Sequence, residues 1–252
     1  MKLRIAHLYP VELGINGDVG NVTVLAKRAR ARGFEVEVVN VGRGATALPD
    51  DVDLLHVGSG PLAAVQTVQA DALRHAAQLR ELVAAGMPLL AIGGGWELLG
   101  SSITHDDGEL DGLGVFASTA VREPSQSVAE TVVRTEGGLL AGFANHNAVT
   151  TLDAAAEALG EIVRGFGNGG AAAENAGAEG IRQLSAIGTH LHGPILALNP
   201  SLADQLLEQS VHRRDADRSL GDGGEELARL DLWSQNARLA LMRRIGVSAP
   251  TS

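Results

Sequence analysis

The stretch Leu89-Leu90-Ala91-Ile92-Gly93-Gly94-Gly95-Trp96-Glu97-Leu98-Leu99-Gly100 runs from a buried apolar segment through three glycines into a new apolar segment. Strand, tight turn and helix in that order is the geometry that presents a nucleophile above a parallel sheet. Here the tip is Gly93, which has no side chain to react. A second glycine loop, Gly58-Ser59-Gly60, follows the apolar run Asp53 to Val57, and a third, Gly188 to Pro194, carries His190 and His192. Without a nucleophile within reach, His192 reads as a histidine that bonds locally and lines the pocket. Alternation along an extended segment turns His190 away from His192, so the two are not expected to share a metal. His56, inside an apolar strand, reads as a satisfied core histidine. Gly17-Asp18-Val19-Gly20-Asn21 lacks the lysine and spacing of a P-loop and reads as a turn with a helix cap. Three consecutive glycines without a spaced fingerprint and a downstream acid are no dinucleotide signal. The acidic cluster from Asp106 to Asp111 does not have EF-hand spacing and reads as a solvated loop.

Alternating strands and helices must position these loops. Lys2 to Leu8 reads as a first strand, Val22 to Arg32 as a helix closed by Gly33, and Phe34 to Val41 and Asp53 to Val57 as further strands. Gln69 to Ala85 has helical spacing and leads into the strand Pro88 to Ile92. Glycine at the carboxyl end of each strand is the pattern of an open, mostly parallel sheet with helices on both sides, a three-layer α/β protein. Ligands sit outside the carboxyl ends of such strands, so Gly58-Ser59-Gly60 and Gly93-Gly94-Gly95 should line one crevice. The second half changes texture. Val115 to Val133 and Ile162 to Phe166 read as shorter strands, and Gly167 to Gly180 as an exposed, mobile loop. Ser201 to Arg213 reads as a helix. The expected division is a domain over 1–213, then a polar linker and docking helix over 214–252, with Trp233 packed beneath that helix.

Composition removes several function classes. The 252 residues hold no cysteine, which excludes disulfides, thiolate metal sites and a thiol nucleophile. Net charge is −10, and no basic cluster is longer than Lys27 to Arg32, which argues against nucleic acid. No run of about 18 apolar residues could cross a bilayer and no secretory leader is recognisable, so a cytoplasmic protein without a membrane span is expected.

Five segments, in order, resemble one family. They are Leu8-Tyr9-Pro10 with Gly17 to Asn21; Met87 to Ile92 with Gly94-Gly95 and Leu98-Leu99-Gly100; Gly112-Leu113-Gly114; Gly142-Phe143-Ala144-Asn145-His146; and Gly188 to Pro194 with Asn199 to Asp204. The chain resembles the class I glutamine amidotransferases of the cobyric acid synthase type, and among them looks most like the glutaminase subunit of lipid II isoglutaminyl synthases. The resemblance implies the class I amidotransferase (flavodoxin-like) fold. It implies a cysteine at the elbow tip that attacks glutamine, with His192 matching the histidine that takes and returns the proton. It also implies a heterodimer with a Mur-ligase-like partner that amidates the D-glutamate of the peptidoglycan precursor. ATP and Mg belong to that partner, and no cofactor is expected in this chain.

The departures from the family are specific. The cysteine is Gly93, the usual glutamine is Glu97, the usual arginine after the Asn-His pair is Val149, and the glycine loop continues Pro61-Leu62-Ala63-Ala64. Without a side chain at 93 no thioester can form, so this chain is not expected to hydrolyse glutamine. Backbone amides near Gly60 and Gly94 are the expected remnant of an oxyanion hole. The pocket-lining residues implied are Gly58, Ser59, Gly60, Gly94, Glu97, Asn145 and Val149, with Gly93 and His192 at its centre. The pocket would take glutamine or a small amine, and the complex would draw on ammonium or a small amino acid such as glycine. Two rival readings are a non-catalytic scaffold or glutamine sensor, and an active subunit carrying a laboratory Cys-to-Gly change.

Overall fold

The computed structural model describes residues 1–49 and 51–248. The final residues of the expected C-terminal segment, 249–252, lie outside them. From the N-terminus, β1 (Lys2–Leu8) leads to α1 (Val19–Ala31), β2 (Glu35–Val41) and β3 (Leu54–Val57). Helices α2 (Leu62–Leu73) and α3 (Ala76–Ala84) precede β4 (Leu89–Ile92), and only Gly93 separates β4 from α4 (Gly94–Leu99). Next come β5 (Ser102–His105), β6 (Gly108–Asp111), β7 (Ser118–Thr135), β8 (Gly138–Leu152) and β9 (Gly160–Arg164). The chain continues through β10 (Ala178–Glu179), β11 (Ile181–Gln183), β12 (Ala186–Thr189) and β13 (Leu191–His192) to α5 (Ile195–Leu198), α6 (Pro200–Arg214) and α7 (Gly224–Arg244).

The first sheet has the order β11-β12-β4-β3-β1-β2, parallel from β12 to β2, with β11 antiparallel at one edge. Parallel strands need helical crossovers, so both faces are covered and the central strands must be apolar on both sides. Leu3, Ile5, Leu54, Leu90 and Ile92 pack against α1 and α6 on one face. Ala6, Leu8, Leu55, Val57, Leu89 and Ala91 pack against α2 and α3 on the other. This is the three-layer α/β fold the sequence implied. The strand order reverses between β1 and β3, which opens a crevice at their carboxyl ends.

The helix boundaries differ from the sequence reading. Helix α1 starts at Val19, within the expected loop, and its Gly20 packs directly on the Pro194 ring. The expected helix from Gln69 begins instead at Leu62, where Pro61 holds φ at −63°, and it breaks at Arg74-His75 into α2 and α3. Its buried stripe, Val65, Val68 and Ala72, starts before Gln69.

The second half forms a separate, mainly antiparallel sheet built on the long β7–β8 hairpin. The sequence reading gave shorter strands, because the polar run Glu123 to Ser127 and Pro124 interrupt the apolar alternation. The structure absorbs that run in a bulge: pairing shifts between Arg122 and Ser127, opposite Asn147. The Gly167 to Gly180 segment is not the loose loop expected. Asn168 is buried and its carboxamide bonds Gly180 N at 2.7 Å and Gly180 O at 3.0 Å, while Glu179 is fully buried.

Helix α7 buries Leu227, Leu241 and Met242. Arg28 on α1 is clamped by Asp204 of α6 through Nε (2.7 Å) and Nη2 (2.6 Å), and its Nη1 bonds Asp231 of α7 at 2.6 Å. Trp233, expected beneath the helix, is 59% exposed, with the Arg229 guanidinium over its ring. It lies on the solvent side because the apolar stripe of α7 passes through Leu227 and Leu241 instead.

Candidate active site

Loops at the carboxyl ends of β1, β3, β4 and β12 converge in the crevice. Gly93 has φ 47° and ψ −118°, a backbone state that side chains other than hydrogen seldom tolerate. Its N–H donates to Thr189 O at 2.9 Å and its carbonyl accepts from Glu97 N at 2.9 Å, so the turn is fixed to β12 on one side and opens α4 on the other. The elbow has therefore kept the backbone of a nucleophile turn. A Cβ on Gly93 would stand 2.5 Å from Ser59 Oγ, 3.2 Å from Ser59 Cβ and 3.1 Å from His192 Cε1. The serine hydroxyl occupies the place where a side chain at 93 would begin.

That hydroxyl also accepts the Gly94 N–H, at 3.1 Å. The expected oxyanion donor at Gly94 is thus already engaged, which corrects the reading of a free remnant hole. Gly58 does not line the cavity: it is wedged against Leu13 O, and its carbonyl lies 2.2 Å from where a Gly95 Cβ would be. Its role is close packing of the loops.

Behind this floor sits an intact acid–histidine pair. His192 Nδ1 lies 3.0 Å from Asp18 Oδ2 and 3.2 Å from Oδ1, and Ser59 N donates to Oδ2 at 3.2 Å. The two residues are 2% and 0% exposed. Asp18 was expected to cap a helix, but its carboxylate makes no cap bond to α1. A carboxylate only accepts, so Nδ1 carries the proton and Nε2 the lone pair. That Nε2 is buried and has no partner. Asp18 was missed because a glycine-flanked aspartate before a helix has an ordinary capping explanation; its partner is 174 residues away. His56 is the core histidine expected, set between Leu90 O (3.0 Å) and Asp18 O (3.1 Å), and burial holds its pKa down at about 3.

The cavity holds about 310 Å³, with Ser59, Gly60, Gly93 and Gly94 along its floor and Asn145 on one side. Glu97 and Arg122 form another wall: Arg122 Nε donates to Glu97 Oε2 at 2.6 Å, and Nη1 donates to Asn147 Oδ1 at 2.8 Å. Burial pushes the Glu97 carboxyl up, opposed by the Arg122 charge. Arg122 Nη2 is buried without a partner. Val149 is not on the wall and packs toward Gly170. Arg122 lies opposite Ala148, one pair along the hairpin from Val121–Val149, so an arginine reaches the cavity from β7. The sequence reading missed it because only the hairpin register and the bulge bring it there.

A buried aromatic stack supports the far side. His146 and His190 are parallel at 4.0 Å between centroids, and Trp96 lies 4.6 Å from His190. Burial keeps both histidines neutral, with His146 held at about 4. His190 Nε2 and Thr150 Oγ1 share a 2.9 Å hydrogen bond, away from the Asp18–His192 pair, as the alternation required. Glu179 Oε1 accepts His190 N (2.7 Å) and Thr189 Oγ1 (2.9 Å), while burial pushes its pKa up to about 7. Among the described residues no cluster of three or more potential metal ligands occurs.

An elbow after β4, a glycine loop after β3 and a histidine after β12 are one arrangement, and the family comparison matches it. Residues 4–200 match the model of the CobB/CobQ-like glutamine amidotransferase domain. The chain belongs to this amidotransferase family. Among curated relatives it is 31% identical, over 84% of this chain and 86% of the relative, to the lipid II isoglutaminyl synthase (glutamine-hydrolyzing) subunit GatD of Staphylococcus aureus. The GatD subunit of Streptococcus pneumoniae is 27% identical over 84% of this chain and 82% of the relative. Solved structures agree on the fold. A glutamine amidotransferase superposes with a TM-score of 0.54 at 20% identity, covering 81% of this chain and 98% of its own. Another, from Thermotoga maritima, gives 0.51 at 13% identity, covering 95% and 93%. This family member differs from the expected amidotransferase centre at one atom above all, the missing sulfur at 93.

Proposed function

We propose that this chain is the amidotransferase-like subunit of a complex that amidates the D-glutamate of lipid II, joined to a Mur-ligase-like, ATP-dependent partner, and that it does not itself hydrolyse glutamine. The similarity to two GatD subunits supports the place in lipid II amidation. The observation that carries the loss of glutaminase activity is the filled nucleophile position: Gly93 has no side chain and Ser59 Oγ stands 2.5 Å from where one would start. Covalent catalysis divides the amide-cleavage barrier through a thioester, and nothing here supplies the sulfur. The Gly94 amide, which would stabilise a tetrahedral oxyanion, is bonded to Ser59 instead. A neighbouring hydroxyl already seated at the nucleophile position supports natural loss over a laboratory Cys-to-Gly change.

The partner would convert the carboxyl to an acyl phosphate with ATP and Mg, and an amine would displace phosphate. That amine comes from ammonium or a small amino acid such as glycine. Arg122, the cation that could hold a glutamine carboxylate, already serves Glu97 and Asn147, which favours a small amine over glutamine. One donor, Nη2, stays unpartnered, and this favours a second reading in which the pocket binds glutamine without cleaving it, as a sensor. The test is an ATP-dependent assay of the purified complex offered glutamine, ammonium and glycine in turn. Ammonium or glycine should enter the lipid II peptide with no glutamate released from glutamine; glutamate release at enzymatic speed overturns the proposal, and glutamine binding without turnover in any arm selects the sensor.

A further inference from the structure

A second cavity, of about 600 Å³, opens between α1 and the edge strand β2 and shares no lining residue with the cavity above the elbow. Val19 and Val38 give it an apolar surface, and they stay 43% and 37% exposed although a parallel sheet normally has both faces covered. Lys27 and Arg30, one turn apart on α1, line it with positive charge. Arg30 Nη2 donates to Val36 O at 3.1 Å, and among the described residues no carboxylate pairs with either cation. In a chain of net charge −10, two unpaired cations beside one cavity are a local exception. Glu226, from the first turn of α7, adds a carboxylate to the lining.

The buried polar group of this cavity is His7. It is 2% exposed, it lines the cavity, and its Nε2 has no partner. Burial holds its pKa down at about 4, so the ring is neutral, with one nitrogen a donor and the other an acceptor. A buried polar atom left unmet lowers stability. Asn40, paired with His7 across β1 and β2, lines the cavity beside it. Both are next to last in their strands, at the carboxyl edge where doubly wound sheets take ligands.

We propose that this cavity binds a nucleoside diphosphate. The apolar walls take the face of the base, and His7 and Asn40 meet polar atoms on its edge. Glu226 accepts hydrogen bonds from the ribose hydroxyls, and Lys27 and Arg30 take the phosphates. Simpler anions satisfy only part of this lining. Inorganic phosphate leaves the apolar walls and His7 unmet. A fatty acid covers the apolar walls and meets the cations, but offers nothing to His7, Asn40 and Glu226. The volume lies within the range of about 300–1,000 Å³ typical of small-molecule sites. The inference is independent of the amide-forming reading, since the cavity is separate from the elbow and binding makes or breaks no covalent bond.

The test is calorimetric titration of the full 252-residue chain alone, free of the nucleotide site proposed for its partner, with ADP, adenosine, pyrophosphate and laurate. ADP should bind once per chain, and adenosine and pyrophosphate each about tenfold or more weakly, since each offers only part of the matching groups. Lys27→Ala with Arg30→Ala should weaken ADP by about tenfold or more and leave adenosine unchanged. His7→Phe should weaken ADP and adenosine alike, by about tenfold, and leave pyrophosphate unchanged. Lys27 and Arg30 are exposed, so the double variant keeps the test decisive even where His7→Phe fails to fold, and urea midpoints check both. The proposal is overturned by any of four results: no ADP binding at millimolar concentration, ADP binding untouched by the double variant, pyrophosphate as tight as ADP, or laurate tighter than ADP.

Discussion

Reinstating a side chain at the elbow tip is a quantitative test of the filled site. A Cβ at 93 would meet Ser59 Oγ at 2.5 Å and Ser59 Cβ at 3.2 Å, so rotating the hydroxyl away relieves only part of the contact. Overpacking of this kind costs about 1–3 kcal/mol. A non-glycine residue at φ 47°, ψ −118° adds about 1–3 kcal/mol of backbone strain. Gly93→Cys should therefore destabilise by about 2–6 kcal/mol. In a Ser59→Gly background the strain remains but the overpacking disappears, so the double variant should show a favourable coupling of about 1–3 kcal/mol. Urea denaturation of wild type, the two single variants and the double variant gives this number directly. Additivity within about 0.5 kcal/mol would mean that Ser59 does not occupy the thiol's place, and the structural account of lost glutaminase activity would fail. Glutaminase activity recovered by Gly93→Cys alone, with the partner present, would refute it from the other side and favour an engineered origin.

Glu179 should make the fold sensitive to alkali: its folded-state pKa of about 7 exceeds the ordinary carboxyl value of 4.5, so its contribution is fully present below about pH 4.5 and lost as pH rises through 7. Glu179→Gln should remove that loss, raising stability relative to wild type by about 3 kcal/mol more at pH 8 than at pH 4, as read from urea midpoints. Arg28→Ala leaves Asp231 without its cation and Asp204 with Arg32 alone, at 2.9 Å; because those carboxylates are 40% and 29% exposed, the expected cost is about 2–3 kcal/mol, at the low end for a broken ion pair, with earlier proteolysis within α7. Glu97→Gln removes the negative charge facing Arg122 and should tighten binding of a carboxylate ligand such as glutamine about tenfold by calorimetry; unchanged affinity would show that Arg122 does not read the ligand.

Local patterns carried the first half of the molecule. β1, β3 and β4 were legible because two-sided burial demands near-continuous apolar runs, the edge strand β2 because its valines alternate with polar residues, and the glycines that follow mark sharp turns. The elbow was legible for the same reason, and His192 through the family resemblance of its segment. The β7–β8 hairpin was not, since Pro124 and its polar neighbours look like an interruption until pairing with β8 turns them into a bulge. Glu179 and Asn168 lay hidden in a glycine-rich segment whose composition suggests a solvated loop, because only β9, β12 and the loop's own bonds bury them.

The sequence by itself determined the parallel α/β framework and the absence of a nucleophile, because apolar periodicity and the identity of a single residue are local properties. Tertiary structure alone decided which side chains meet at the empty elbow. Ser59 filling the gap, Asp18 holding His192 across 174 residues and Arg122 entering from the hairpin are long-range pairings. They depend on strand order and register, which bring distant segments within hydrogen-bond reach and leave no mark on the spacing of residues along the chain.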